Sequence, residues 1–435
     1  MVILYKIAAL TIKAGLMLKK MIPLTCSITV IIMFLLFIWP CFGFAKSPST
    51  KPGTVELKHS WLKVKQLISS NDAVAVASPS GDLIFSKNAD KLLIPASTLK
   101  IFTALTALHY LGEEYCFKTD FFQDAENNLV IKGYGDPFLT SEIICELANV
   151  LASRLESYND LILDDSYFNR LINIPGRSKS SQPFDAPNGA LCVNFNTVFF
   201  KQIDGVYHSA EKQTPLLPVT LSKIRKTGLK TGRITLAGDS EEALLYAGQM
   251  FRFFFTRAGL KSNGQIKRGR VQAQTDHLIY THISKFSLSQ VISRLLEFSN
   301  NFIANQLIIT VGAFAGQAPG TLEKGLAAAL TYGATFLPAE SFKIMEGSGI
   351  SRQNKISARS QIKILIKFQP FYNLLRQTGQ EYYKTGTLHN ISTRAGYIKT
   401  NQGLLYPYVV MLNTKGASAA EISREILKFP AFKSR

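Results

Sequence analysis

Acidic side chains, histidine and cysteine are all scarce in this chain. Its 30 aspartates and glutamates stand against 49 lysines and arginines, a net charge of +19. Such a surplus favours an anionic neighbourhood, either nucleic acid or an envelope rich in acidic polymers and lipids. The six histidines, His59, His109, His208, His277, His282 and His389, show no metal-ligand spacing, so no metal or other cofactor is expected. Five cysteines in 435 residues are too few for a disulfide framework, and Cys26 and Cys41 lie close to the N-terminus. The other three, Cys116, Cys145 and Cys192, allow at most one bridge, and three buried thiols are the simpler expectation. Charged residues make up only 18% and hydrophobic residues 46%. That balance excludes a disordered chain and suits two or three folded domains.

Charge is missing altogether from Met21 to Ala45, which includes the run Val30 to Ile38 and follows Lys19-Lys20. A stretch of about 25 uncharged residues is long enough to span a bilayer. Gly43-Phe44-Ala45 places small residues at the −3 and −1 positions of a cleavage site. Residues 1–45 are therefore expected to be an export signal cut after Ala45, or a membrane anchor through residues 21–45 if kept. Translation from Met17 would shorten the long basic flank. Either way the folded part lies outside the cytoplasm, and nucleic acid drops out as a partner.

A polar linker, Ser47 to Gly53, leads to a helical pattern at 55–69 and to two strands, Ala73–Ala77 and Leu83–Phe85. A helix beginning at Ser97 is expected to run to Leu111 and stop at Gly112. Between 118 and 245 short apolar runs are broken by turn residues, which reads as an inserted β-rich domain. Helices are expected again at 246–259 and 286–315. Alternating runs at 393–399 and 404–413 read as paired strands, and 419–428 as a last helix.

Three short motifs carry chemistry. Ser97 and Lys100 sit one helical turn apart, so an amine can activate a hydroxyl that is a poor nucleophile alone. Ser299-Asn300-Asn301 holds a polar cluster at a corner between two apolar helices. Lys384-Thr385-Gly386-Thr387 precedes a strand, and Gly386 lets backbone approach a ligand closely. None of these is decisive alone. Ser-x-x-Lys recurs at Ser60/Lys63, Ser209/Lys212 and Ser360/Lys363, Ser-x-Asn recurs at Ser69/Asn71 and Ser157/Asn159, and Lys-Thr-Gly recurs at 226–228 and 230–232. Context separates them. Ser97 follows a turn and opens a helix where its rivals do not, and the Lys-Thr-Gly copies at 226–232 come before Ser299-Asn300-Asn301, whereas a serine acyl-transfer site requires the order Ser97, Ser299, Lys384.

With these residues the chain resembles the D-Ala-D-Ala carboxypeptidase/endopeptidase family, the class C low-molecular-mass penicillin-binding proteins. The likeness runs from about 55 to 428. It includes Phe85 to Asp90 before Ile94-Pro95-Ala96-Ser97, then Gly133-Tyr134-Gly135-Asp136-Pro137 and Asp164-Asp165-Ser166-Tyr167-Phe168. It continues through Glu346-Gly347-Ser348-Gly349 to Asn354, and Lys384 to Leu388. Tyr134, Glu346 and His389-Asn390 depart from the family's usual residues. The resemblance implies an α/β (α+β) transpeptidase-like domain, formed by 46–117 and 246–435, with an antiparallel sheet between helical layers and the insertion at 118–245. It implies Ser97 as nucleophile, Lys100 as base, and Ser299 and Asn301 as proton relay and peptide anchor. Lys384, Thr385, Gly386 and Thr387 would bind the substrate's carboxylate and oxyanion. Substrates would be peptidoglycan stem peptides, β-lactams would be covalent inhibitors, and the protein would work in the periplasm or on the outer face of the cytoplasmic membrane. A wall-binding scaffold without the chemistry, and a β-lactamase or esterase on the same fold, are the competing readings. Gly347-Ser348-Gly349, Asp136 and Asp165 read as structural.

Overall fold

A computed structural model of the chain describes residues 61–178, 180–236, 240–429 and 432. The expected export segment, residues 1–45, lies outside the described residues. Among the described residues no helix is long and apolar enough to cross a membrane.

Asp72–Ala77 carries no polar stripe, and all six residues are buried, as a strand must be when its sheet is covered on both faces. It pairs antiparallel with Leu405–Leu412 on one side and Leu83–Lys87 on the other. Glu381–Leu388 and Ile391–Lys399 form a hairpin whose last pair is Leu388 with Ile391. Asn390 in that tight turn has φ +61°, a left-handed conformation that asparagine tolerates. With Arg376–Thr378 at the outer edge, these make a six-stranded antiparallel sheet in the order 376–378, 381–388, 391–399, 405–412, 72–77, 83–87.

Period-two alternation sends Ala73, Ala75, Ala395, Val409 and Met411 to one face of this sheet. There they pack on Lys100–Leu111, Leu288–Phe298, Asn301–Gly316 and Ala358–Phe368. Val74, Val76, Tyr408 and Val410 take the other face, against the helix at 61–67 and Ala419–Ile426. An antiparallel sheet between helical layers is what the family resemblance implied.

A second core lies around Phe121, Ile131, Leu163, Phe251 and Phe255. Its five-stranded sheet runs in the order His277–Ser287, Cys116–Gln123, Leu129–Gly133, Leu161–Asp164, Ile266–Arg268. Thr197–Ile203 pairs with Val206–Ser209 and Thr231–Thr235 in a smaller sheet. The expected break at 245 falls inside the helix Ser240–Arg257, and the two strands after that helix complete the sheet that Cys116–Gln123 begins. Pairing of Cys116–Gln123 with His277–Ser287 is a long-range contact, invisible to local pattern. The helices Ser141–Ala152, Pro218–Thr227 and Ser240–Arg257 also make this part mixed rather than mainly β. Cys116, Cys145 and Cys192 are free thiols, with Cys192 buried and the other two partly exposed.

Candidate active site

The helix expected from Ser97 divides into two pieces. Ala96–Leu99 is a 3₁₀ turn, and the α-helix proper is Lys100–Leu111, ended by Gly112 at φ +82°. The cause lies just before the serine, where Ala96 has φ +47°. A left-handed alanine costs on the order of 1–2 kcal/mol and persists only where its surroundings hold it. Here they do. A Cβ on Gly349 would lie 1.9 Å from the Ala96 carbonyl oxygen, and one on Gly386 2.7 Å from the Ser97 nitrogen. The Thr393 and Thr98 hydroxyls both donate to the Pro95 carbonyl at 2.7 Å.

Lys100 is fully buried on the first turn of its helix. Its Nζ lies 2.9 Å from Ser97 Oγ, 2.8 Å from Asn301 Oδ1 and 2.7 Å from the Ser348 carbonyl oxygen. Burial lowers its pKa to about 7, aided by the positive charge of Lys384 and opposed by Glu346. Two of the three oxygens can only accept hydrogen bonds, whereas the serine hydroxyl can also donate. A neutral amine therefore gives its two N–H bonds to Asn301 and Ser348 and turns its lone pair to Ser97.

The Ser348 carbonyl is aimed by a buried carboxylate. Glu346 accepts from Ser348 N and Oγ at 2.6 Å, from Gly349 N and Asn354 Nδ2 at 2.7 Å, and from Ser351 N at 3.3 Å. Asn305 Oδ1 and Thr103 Oγ1 bind the Gly347 N–H and carbonyl at 2.7 and 2.5 Å. Gly347-Ser348-Gly349 thus supports the site through a backbone oxygen that touches Lys100 directly.

Ser299 ends the helix Leu288–Phe298 in a left-handed conformation, φ +56°. Asn300 then caps Asn301–Gly316 by accepting from Ile303 N at 3.0 Å. These two helix ends bring Asn301 to Lys100 and set Ser299 two residues before it. Along Glu381–Leu388 the outer neighbour reaches only from Glu381 to Tyr383, so the strand edge from Lys384 on is open beside the turn Ala96–Leu99. Lys384 is 3% exposed, its Nζ donates to the Thr385 carbonyl at 3.0 Å, and burial lowers its pKa to about 8. Thr393, across the sheet from Gly386, also donates to the Gly386 carbonyl at 3.3 Å, tying strand and turn together.

Ser97, Lys100, Asn301, Lys384 and Gly386 are therefore gathered at one place. Among the described residues the side chains of Ser299, Thr385 and Thr387 make no hydrogen bond, and the latter two are exposed. Sequence reasoning gave no chemical part to Glu346, Asn305 or Thr393. A carboxylate followed by Gly-Ser-Gly, with its run of close backbone N–H groups, was the available signal for the first.

Comparison with known proteins gives the family and the fold. The family model for the D-Ala-D-Ala carboxypeptidase 3 (S13) family matches residues 57–378. A D-alanyl-D-alanine carboxypeptidase from an Actinomadura species is 24% identical over 408 residues, covering 76% of each chain. Penicillin-binding protein 4 (dacB) from Haemophilus influenzae superposes with a TM-score of 0.68 at 18% identity, over 86% of this chain and 99% of its own. A predatory peptidoglycan endopeptidase from Bdellovibrio bacteriovorus gives 0.51 at 16%, over 82% of this chain and 90% of its own. The two structural likenesses establish the fold.

Proposed function

The chain belongs to the D-Ala-D-Ala carboxypeptidase 3 (S13) family and is a serine-type D-Ala-D-Ala carboxypeptidase, and from that premise we propose that Ser97 is its nucleophile and Lys100 the base. The observation that carries this is the buried amine between one hydroxyl and two obligate acceptors. With a pKa of about 7, Lys100 is neutral in a large fraction of molecules at neutral pH, and only that form takes a proton.

Ser97 Oγ attacks the carbonyl carbon of the penultimate D-alanine of a peptidoglycan stem peptide, and its proton passes to Lys100 Nζ. The oxyanion that forms accepts from the backbone N–H groups of Ser97 and Thr387, where loss of one donor typically lowers turnover about 10²–10³-fold. Collapse breaks the C–N bond, and the proton travels from Lys100 by way of Ser299 to the departing amine of D-alanine. Water then attacks the acyl-serine, with Lys100 again as base. Lys384 and Thr385 hold the terminal carboxylate, Gly386 allows the strand to lie against the nucleophile turn, and Asn301 orients the peptide. β-Lactams acylate Ser97 in the same way. Residues 1–45 deliver the protein to the periplasm, or tether it to the outer face of the cytoplasmic membrane through 21–45.

Fluorescent penicillin and defined muropeptides test this reading. Wild type forms a covalent adduct and releases D-alanine, seen by mass, and Ser97→Ala does neither. An adduct of undiminished yield on Ser97→Ala would overturn it.

A further inference from the structure

We propose that a second site, at the far end of the helix that begins with Asn301, binds a phosphate-bearing anion of the envelope. The helix Asn301–Gly316 has 16 residues and spans roughly 24 Å at 1.5 Å per residue. Beyond its end, Ala318-Pro319 forms one wall of an open cavity of about 720 Å³. The other walls bring Arg170, Arg268 and Arg270 together from two separate segments.

Charge at this cavity is not balanced from within. Arg268 gives one arm to Asp165 at 3.0 Å and, with Arg170, grips Glu241. The Arg268 Nε is buried without an acceptor among the described residues. Arg270 is exposed and makes no ion pair among the described residues. The helix end would ordinarily present negative carbonyl groups here. Just past that end, Lys324 Nζ donates to the Gln317 and Pro319 carbonyls at 2.7 and 2.9 Å. Three guanidinium groups thus face two carboxylates, Asp165 and Glu241.

Ion pairs that only stabilise the fold would not need Arg270 on this wall. Guanidinium forks match phosphate oxygens in geometry and charge, better than an ammonium does. The length of the helix separates this cavity from Asn301, which fits a polymer held at one end of the helix while peptide is cut at the other. The site stands independently of the mechanism proposed above.

Titration calorimetry on the full chain at low salt tests the site with two probes, sodium pyrophosphate and a glycerol phosphate oligomer. Arg270→Gln is expected to weaken binding about 5–10-fold, and Arg170→Gln with Arg270→Gln further, as expected for loss of charge-assisted bonds. Labelling by fluorescent penicillin stays within about twofold, since neither residue lies near Ser97. Tighter binding of the oligomer assigns the site to a phosphodiester polymer, and equal binding assigns it to free phosphate. No saturable binding of either probe overturns the proposal. So does an equal loss in Lys226→Gln, an exposed lysine elsewhere, because diffuse charge would then suffice.

Discussion

Lys384-Thr385-Gly386 and Lys226-Thr227-Gly228 are the same three residues in two environments. The first lies on a strand edge against the nucleophile turn, with its lysine buried and its glycine in a space where a Cβ would strike Ser97. The second ends the helix Pro218–Thr227. There Thr227 Oγ1 donates to the Ile224 carbonyl at 2.7 Å, Gly228 takes φ +66°, and Lys226 is in solvent. Lysine near a helix C-terminus and glycine just past it are ordinary capping chemistry. A third copy, Lys230-Thr231-Gly232, opens the strand Thr231–Thr235 with its lysine and threonine exposed. The tripeptide acquires a chemical role only where burial shifts an amine and a neighbouring backbone presses close.

Substitutions made in pairs would sharpen or break this contrast. The largest effect is expected at the base. Lys100→Met should lower kcat/KM by at least about 10³-fold, as loss of a triad-like base does. Lys363→Met, the exposed lysine of the Ser360 copy, should leave it within about twofold. Equal losses in steady-state assays would erase the distinction.

Next comes glycine. Gly386→Ala pushes the strand from the Ser97 nitrogen and should cost about 10²-fold, the usual consequence of a misplacement near 1 Å. Gly228→Ala, at positive φ in open space, should leave the rate alone and lower stability by about 1 kcal/mol, seen in denaturant titration. Lys384→Met should then raise KM and lower kcat/KM about 30-fold, roughly 2 kcal/mol for a lost charge-assisted contact. Lys226→Met should do nothing measurable.

The pH profile is a gentler test. Acylation needs Lys100 neutral, so it should fall below about pH 7, and carboxylate binding needs Lys384 charged, so kcat/KM should fall above about pH 8. Lys384→Met removes the upper limb. It also removes a positive neighbour of Lys100, so the lower limb should move to higher pH, and an unmoved limb would contradict the coupling. The smallest effect is expected from Thr393→Val, which takes one donor from each of the Pro95 and Gly386 carbonyls. About fivefold in kcat/KM is expected, consistent with loss of one or two hydrogen bonds.

Much of this was legible in the residues themselves. Pro95 to Lys100, Ser299 to Asn301 and Lys384 to Thr387 stand in an order that already implied a shared site, and the strand pair at the C-terminus followed from alternation. The nucleophile turn was misread as a plain helix start because nothing local in Ala96 favours φ +47°. Its cause is Gly349 and Gly386, each more than 200 residues away. The boundary at 245 followed the texture of the chain, whereas the sheet closes through strands at 266–268 and 277–287.

Residue types and their order determined which groups are able to react, since a hydroxyl, an amine and an anion-binding strand are properties of the side chains and their period. Tertiary structure decided how the chosen copies differ from the others in burial and in neighbours. Desolvation and mutual repulsion act between groups brought within a few ångströms, and folding sets those distances for Lys100, Lys384, Asn301 and the Ser348 carbonyl from segments that are remote along the chain.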